Sequence, residues 1–159
     1  MVTRTTTFDP GDIFAVPLAS GGVGGVVLSR TGFGVALGYF FGPRSSSAAE
    51  IAARVPPYAA QTVFSSIFFT NSIEDGTWSA VASIKNFDPS AWPMPVFQYE
   101  DPLLRRHFLR EFALDDPFGG TARTKPISPR LAARLVPHGT FAPEAIEADL
   151  DEALDQAVG

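Results

Sequence analysis

Residues 11–41, GDIFAVPLASGGVGGVVLSRTGFGVALGYFF, contain three apolar segments separated by two short glycine-bearing turns. The segments cover residues 13–18, 23–29 and 33–41. Connections this short join antiparallel neighbours, because a parallel crossover needs a dozen or more residues. The stretch therefore predicts a three-stranded antiparallel sheet. Strand alternation places Ile13 and Ala15 on one face of it, and Phe14 and Val16 on the other.

Glycines inside these strands need a reason, because an interior glycine weakens a strand unless the backbone bends or is closely approached there. Gly24 and Gly25 lie in the second segment, and Gly34 and Gly38 in the third. We expect them to be bends that let a small sheet curl. No GxxxxGK[ST] phosphate loop is present, and Gly22-Val23-Gly24 lacks the third glycine of a dinucleotide fingerprint.

Downstream residues add strands and helices of the kind that would complete and cover this sheet. β-Branched and aromatic runs predict strands, while capping residues and helical spacing predict helices, the first of them capped by Ser46 or Ser47. The predicted strands are residues 61–70, 78–85 and 96–99, and the predicted helices are residues 48–54, 129–135 and 140–158. Turn-forming residues predict loops at residues 71–76, 86–95 and 115–125.

Residues 103–114 fit two patterns. Leu104, Phe108 and Phe112 recur at helical spacing, whereas residues 107–112 taken alone resemble a short strand. Turn-like flanks and two aromatic residues in a short window favour the strand.

These elements predict a mainly β (α+β) protein: a curved antiparallel sheet or half-open small barrel with two short helices and a C-terminal acidic helix. No linker interrupts the sequence, so we expect residues 1–159 to form a single domain. We expect the polar residues 1–8 to be a flexible N-terminus and residues 141–159 to form the acidic helix.

Composition excludes several classes of protein. A chain that is 45% hydrophobic and 18% charged is expected to fold. The absence of cysteine excludes disulfides and thiolate chemistry. No apolar run is long enough for a membrane span, and the N-terminus lacks the features of a secretory signal. We therefore expect a cytoplasmic protein without a membrane partner.

The net charge of −5 is concentrated at the C-terminus. Residues 141–159 contain six acids and no Lys or Arg, whereas the rest of the chain is close to neutral. That distribution disfavours direct nucleic-acid binding, which needs a basic surface. The acidic helix is either a solvated face or a surface that captures a basic partner. The partner-binding candidates on this helix are Glu144, Glu147, Asp151 and Glu152.

No combination of residues predicts catalysis, a cofactor or a metal site. His107 and His138 lie far apart in sequence, without HExxH spacing, and no GxSxG nucleophile motif is present. Each carboxylate pair lies beside Gly or Pro or in a turn, where acids are common for backbone reasons. The pairs are Glu74–Asp75, Glu100–Asp101 and Asp115–Asp116.

Aromatic residues are numerous, with 14 Phe, 3 Tyr and 2 Trp. Most are expected in the core, since a sheet of small residues needs bulky side chains to fill the space beside it. Trp92 lies in the proline-bearing loop 86–95 and Phe97 follows it, and both are either core residues or exposed anchors for a partner.

Several short motifs resemble the immunity protein 26 family of bacterial polymorphic toxin systems. GDIFAVPL followed by GGVVLSRTGFG is similar to that family's GD-F-IPL and G-G-VL strands, and SIEDGTWSAVA is similar to its I-x-x-G-x-W segment. A strand ending in Phe68-Phe69 and a late Ile127-Ser128-Pro129 before two helices agree as well.

The resemblance implies a small β-rich, non-enzymatic protein that binds and neutralises a cognate toxin by occluding its active site or substrate groove. It implies no catalytic residues. The acidic helix suggests a nuclease with a basic groove as the toxin. Two alternatives remain at this point: an SH3-like barrel that acts as an adaptor or nucleic-acid-associated module, and an enzyme with an unrecognised site.

Overall fold

A computed structural model describes residues 7–31, 33–54, 62–92, 94–112 and 123–158. Within these ranges the strands are β1 Asp12–Val16, β2 Gly22–Arg30, β3 Val35–Ser45, β4 Thr62–Phe69, β5 Ser79–Ser83, β6 Phe97–Asp101, β7 Arg106–Glu111, β8 Arg123–Ile127, β9 Val136–Pro137 and β10 Thr140–Phe141. The helices are α1 Ala48–Ala53, α2 Asn71–Glu74, α3 Pro129–Ala132 and α4 Pro143–Val158. No helix in the described ranges has the length and apolar character needed to cross a membrane.

Six strands form a large sheet in the order β10-β4-β3-β2-β1-β5. The first three strands of the chain pair antiparallel, with Ile13 opposite Val26 and Val26 opposite Tyr39. This confirms the antiparallel arrangement predicted from their short connections. The short edge strand β10 runs parallel to β4.

The other four strands form a small sheet in the order β8-β7-β6-β9, in which β9 runs parallel to β6. The fold is therefore mainly β, as the sequence predicts. The strands divide into two mixed sheets, and neither closes on itself within the described residues, so the protein is not a closed barrel.

Apolar residues cover both faces of the large sheet. Phe14 and Val16 belong to one core cluster together with Ile146, Leu150 and Leu154 of α4. The second cluster, which contains Ile13 and has Ala15 packed against it, joins the other face to the small sheet, α1 and the loop before β6. The predicted alternation of β1 is confirmed. The large sheet is thus a middle layer, with α4 on one side and the small sheet on the other.

Two glycines of β2 are required by aromatic rings that lie against the backbone. A Cβ at Gly25 would come within 2.4 Å of the Phe14 ring, and one at Gly24 would come within 2.4 Å of the Phe41 ring. Each glycine is the register partner of the residue whose ring covers it. Both glycines are therefore sites of close approach, which is one of the two reasons expected for glycine in a strand, and a register shift between Gly22 and Gly24 makes the pairing irregular there as well.

The segment that fitted two patterns forms strand β7, so the preferred assignment for residues 103–114 is confirmed for Arg106–Glu111. Ser47 caps α1 by accepting the backbone N–H of Glu50. Ser128 caps α3 in the same way, but that helix ends at Ala132, before the predicted residue 135.

Three further predictions are wrong in part. Residues 71–76 were expected to form a loop, yet Asn71–Glu74 is helical, because the Thr70 carbonyl accepts the N–H groups of Ile73 and Glu74. The predicted loop 115–125 includes the first residues of β8, while residues 113–122 lie outside the described ranges. The final helix begins at Pro143, because residues 140 and 141 pair with β4.

Phe8, the last residue of the segment expected to be flexible, packs into the core. Phe8 is 4% exposed and belongs to the same core cluster as α4. Arg30 lies 4.8 Å from the centre of the Phe8 ring and donates a hydrogen bond to the Phe8 carbonyl. Residues 1–6 lie outside the described ranges.

Candidate functional site

The acidic helix α4 is positioned by one apolar stripe. Ile146, Leu150 and Leu154 recur every four residues and are 0%, 0% and 5% exposed. Spacing of this kind lines up side chains on one side of a helix, and here that side packs against the large sheet. Pro143 takes the first helical position, where its missing N–H is harmless, and the Ala142 carbonyl accepts the Ile146 N–H. The acids are consequently left on the flanks and outer side of the helix.

Glu147 lies on one flank and is bound to the core. The indole Nε1 of Trp78 donates a hydrogen bond to Glu147 Oε1 at 3.0 Å. Trp78 itself is fully buried and stacks on Phe14, with ring centres 5.5 Å apart. Glu147 therefore satisfies a buried donor as well as contributing charge.

Asp151 and Asp155 lie within reach of the end of β3. Arg44 Nη2 is 3.0 Å from Asp151 Oδ1 and 2.9 Å from Asp155 Oδ1. The hydrogen bonds that Arg44 donates to the Asp151 and Asp155 carboxylates raise the pKa of its guanidinium. These two contacts join the C-terminal half of α4 to β3, a strand that is far from it in sequence.

The acids that point outward form what we call the acidic face: Glu144, Asp149, Glu152 and Asp155. All four residues are exposed. Asp149, Glu152 and Asp155 follow one another at spacings of three and are therefore neighbours on the helix surface. Burial, and secondarily the nearby Glu152 charge, raise the pKa of Asp149. Within the described part of the chain, only Asp155 of this set forms an ion pair.

The four predicted acids therefore divide into two pairs. Glu144 and Glu152 belong to the acidic face, whereas Glu147 and Asp151 are partly buried and make contacts within the protein. Asp149 and Asp155 were missed as candidates. Helical spacing was the available signal, since neither position falls on the four-residue repeat of Ile146, Leu150 and Leu154.

Trp92 and Phe97 do not join this surface. They are 7% and 0% exposed and lie in the core between the two sheets, on the opposite side of the large sheet from α4. The Trp92 ring packs 5.2 Å from that of Tyr39, and burial raises the pKa of Tyr39 to about 12. The core interpretation of both residues is correct, and the alternative of exposed anchors is wrong because both rings pack in the cluster between the small sheet and the large sheet.

Exposed apolar side chains occur elsewhere and were not selected from the sequence. Leu103 is 91% exposed and Leu104 is 60% exposed, both on the turn between β6 and β7, which we call the β6–β7 tip (residues 101–106). Phe33, beside the β2–β3 turn, is 95% exposed. The available signal was an Asp-Pro turn followed directly by two leucines and two arginines.

His138 and the carboxylate pairs Glu74–Asp75 and Glu100–Asp101 make local contacts, whereas Asp115–Asp116 lies outside the described residues. His138 packs against Phe97 and Phe112, with ring centres 5.7 and 5.3 Å away. Burial lowers the pKa of His138, and the Arg110 charge lowers it further. Asp75 accepts the Thr77 N–H. No group of three or more His, Asp or Glu side chains among the described residues is arranged to hold a metal ion.

An open cleft of about 380 Å³ lies between the ends of β1 to β3, the start of α1 and the start of β5. Its polar side chains are the hydroxyl groups of Ser45, Ser46, Ser47, Thr77 and Ser79. None of its lining residues carries a group that titrates near neutral pH. The cleft therefore supplies hydrogen-bonding groups but no acid–base pair.

A protein-family model described as Immunity protein 26 matches residues 9–109, from the turn before β1 into β7. No curated protein and no solved structure matches the chain. The matched residues make up well over half of the sequence and include five of the six strands of the large sheet. This protein belongs to the immunity protein 26 family.

Proposed function

We propose that this protein neutralises a cognate bacterial toxin by binding it and covering its active site or substrate groove. The observation that carries the proposal is membership in an immunity protein family, which implies a toxin as partner. Occlusion needs a stable surface more than a reactive group. The layered β core, with a helix fixed across one face, is suited to that role.

The acidic face of α4 is the surface that we assign to the toxin. A buried apolar stripe and contacts to Trp78 and Arg44 hold the helix in place, so its outward carboxylates are presented from a fixed support. A fixed acidic patch accelerates encounter with a basic partner and disfavours partners of like charge. A partner with a basic groove therefore fits this surface.

A nuclease is the toxin class that this surface suits best. Nucleases bind phosphates through Lys and Arg, and carboxylates presented in a row compete for the same cations. Glu144, Asp149 and Glu152 make no ion pair with any described basic residue, so they are available for such contacts. The inhibitor would exclude the nucleic acid by occupying its groove, without chemistry of its own.

The proposal is tested by co-expression with a candidate toxin domain, namely the C-terminal domain of a large secreted protein where a neighbouring reading frame encodes one. Cells that make the toxin domain alone are expected to stop growing, and cells that also make this protein are expected to grow. Continued growth arrest despite soluble expression of this protein would contradict the proposal.

Binding kinetics test the role of the acidic face. The E144Q/E152Q variant is expected to lower the association rate constant and weaken its dependence on salt, because long-range attraction acts on encounter. The D9N/D88N variant makes the same change in net charge at two exposed acids outside α4 and is the matched control. Equal effects of the two variants would remove the acidic face from the proposal.

A further inference from the structure

The β6–β7 tip presents two leucines on an ordered turn. The Asp101 carboxylate accepts the N–H groups of Leu103 and Leu104 at 2.8 and 2.9 Å. The Asp101 carbonyl accepts the Arg105 N–H at 2.8 Å. Asp101 therefore fixes the backbone of both leucines, while their side chains remain 91% and 60% exposed.

The backbone beside the leucines is held in an uncommon conformation. Arg105 has a φ of 54°, in the left-handed region that residues other than glycine rarely adopt. Such a conformation costs free energy and persists only where the surroundings determine it. It turns the chain so that β7 pairs with β6 immediately after the tip, with Asp101 opposite Arg106.

The strands under the tip are braced by stacked side chains. Tyr99 and Phe108 are register partners and stack with ring centres 5.4 Å apart. The Arg110 guanidinium lies 4.1 Å from the centre of the Tyr99 ring. The leucines thus lie at the end of a hairpin that is stabilised by these stacking contacts.

A single exposed leucine is ordinary on a protein surface. Two adjacent leucines on an ordered turn are a different case. Their backbone is already fixed, so it loses little conformational entropy when a partner buries the side chains. The charges beside them define the partner further. The Asp101 carboxylate is turned inward, while Arg105 is 81% exposed and its contact to Glu100, at 3.5 Å, is a weak exposed pair.

We propose that Leu103 and Leu104 insert into an apolar pocket with an acidic rim on the toxin, with Arg105 and Arg106 facing that rim. The proposal rests on the proposed function for the identity of the partner. It assigns a different task to each surface: the acidic face of α4 speeds encounter, and the β6–β7 tip slows dissociation.

The test uses the full chain and the same candidate toxin domain, inactivated by substitution so that it can be produced. The L103S/L104S variant is expected to raise the dissociation rate constant at least about tenfold, as loss of a central apolar anchor does. Its association rate constant should change little. F33S removes an equally exposed apolar side chain from another turn and is expected to leave both rate constants unchanged.

A second variant tests the turn without removing its leucines. D101A deletes the carboxylate that accepts both N–H groups and should weaken binding, whereas D101N keeps an acceptor oxygen and should bind more nearly like the native protein. Unchanged thermal unfolding midpoints for L103S/L104S and F33S would show that these comparisons concern folded protein.

The outcomes separate the two proposals. Unchanged dissociation of L103S/L104S, together with slower association of E144Q/E152Q, overturns the role of the tip and leaves the proposed function standing. Faster dissociation of L103S/L104S that F33S does not share supports the tip. Absence of any complex between the native protein and the toxin domain overturns both.

Discussion

The indole of Trp78 and the carboxylate of Glu147 are joined by a hydrogen bond of 3.0 Å between Nε1 and Oε1. Trp78 is fully buried against Phe14, Phe40 and Phe68, so the contact links the aromatic core of the large sheet to the acidic helix. One acid of α4 thus contributes to stability as well as to charge. Glu147 is thereby distinguished from Glu144 and Glu152, which are exposed on the outer side of the helix.

Replacing Glu147 should separate its structural role from its charge. E147A leaves the indole N–H without its acceptor and is expected to lower the free energy of unfolding by about 1–3 kcal/mol. E147Q retains an amide oxygen and should lose less. Urea denaturation of the two variants checks this, and equal stability of E147A and the native protein would show that the hydrogen bond contributes nothing.

Arg44 should anchor the C-terminal half of α4 through Asp151 and Asp155. R44M keeps much of the apolar stem but removes both contacts, so we expect lower stability and faster amide exchange in that half of the helix. The difference from the native protein should shrink at high salt, because ion pairs are screened. Hydrogen exchange measured by mass spectrometry checks the location, and uniform exchange along α4 in R44M would count against an anchor.

Gly25 should tolerate no side chain while Phe14 remains. G25A places a methyl group within 2.4 Å of the Phe14 ring and is expected to destabilise by at least about 1–3 kcal/mol, the range for overpacked cores. F14L shortens the opposing side chain, so the double variant should lose less stability than the sum of the single variants. Strict additivity in thermal or urea unfolding would indicate that the ring does not exclude the methyl group.

His138 should make stability depend on pH near neutrality. Its pKa in the folded protein is lowered by burial and by Arg110, so the unfolded state binds the proton more readily. The resulting stability is present above about pH 6.5, the ordinary histidine value, and is lost as pH falls through the lowered pKa. H138Q should flatten the decline in unfolding midpoint between pH 7 and 5. An unchanged slope in H138Q would refute this.

The central sheet was accessible from sequence because local patterns specify it. Connections between β1, β2 and β3 allow only antiparallel pairing, and strict alternation assigns Ile13 and Phe14 to opposite faces. Ser47 and Ser128 are recognisable helix caps for the same reason. In each case the sequence pattern and the residues whose arrangement it predicts lie close together in the chain.

Elements that depend on distant partners were harder to predict. β8 consists of Arg, Thr, Lys, Pro and Ile, without apolar alternation, and is a strand because β7 pairs with it at the edge of the small sheet. Pro126 is compatible with such an edge. β10 exists because residues 140 and 141 pair with β4, which shortens the predicted final helix.

Only part of the candidate site could be predicted, because the rest also depends on residues that are remote in sequence. Composition located the acidic helix, but the inward roles of Glu147 and Asp151 depend on Trp78 and Arg44, which are remote in sequence. Likewise, the burial of Trp92 depends on packing between the two sheets. No local pattern reports either arrangement.

The most direct test of neutralisation by binding is a titration of the purified toxin domain, with its enzymatic activity as the readout. Activity should fall in proportion to added protein, reach its minimum near one molecule of this protein per toxin molecule, and return when the two are separated in denaturant and the toxin is refolded. Inhibition by far less than one equivalent, or a toxin that stays inactive after separation, would point to an enzyme and contradict occlusion.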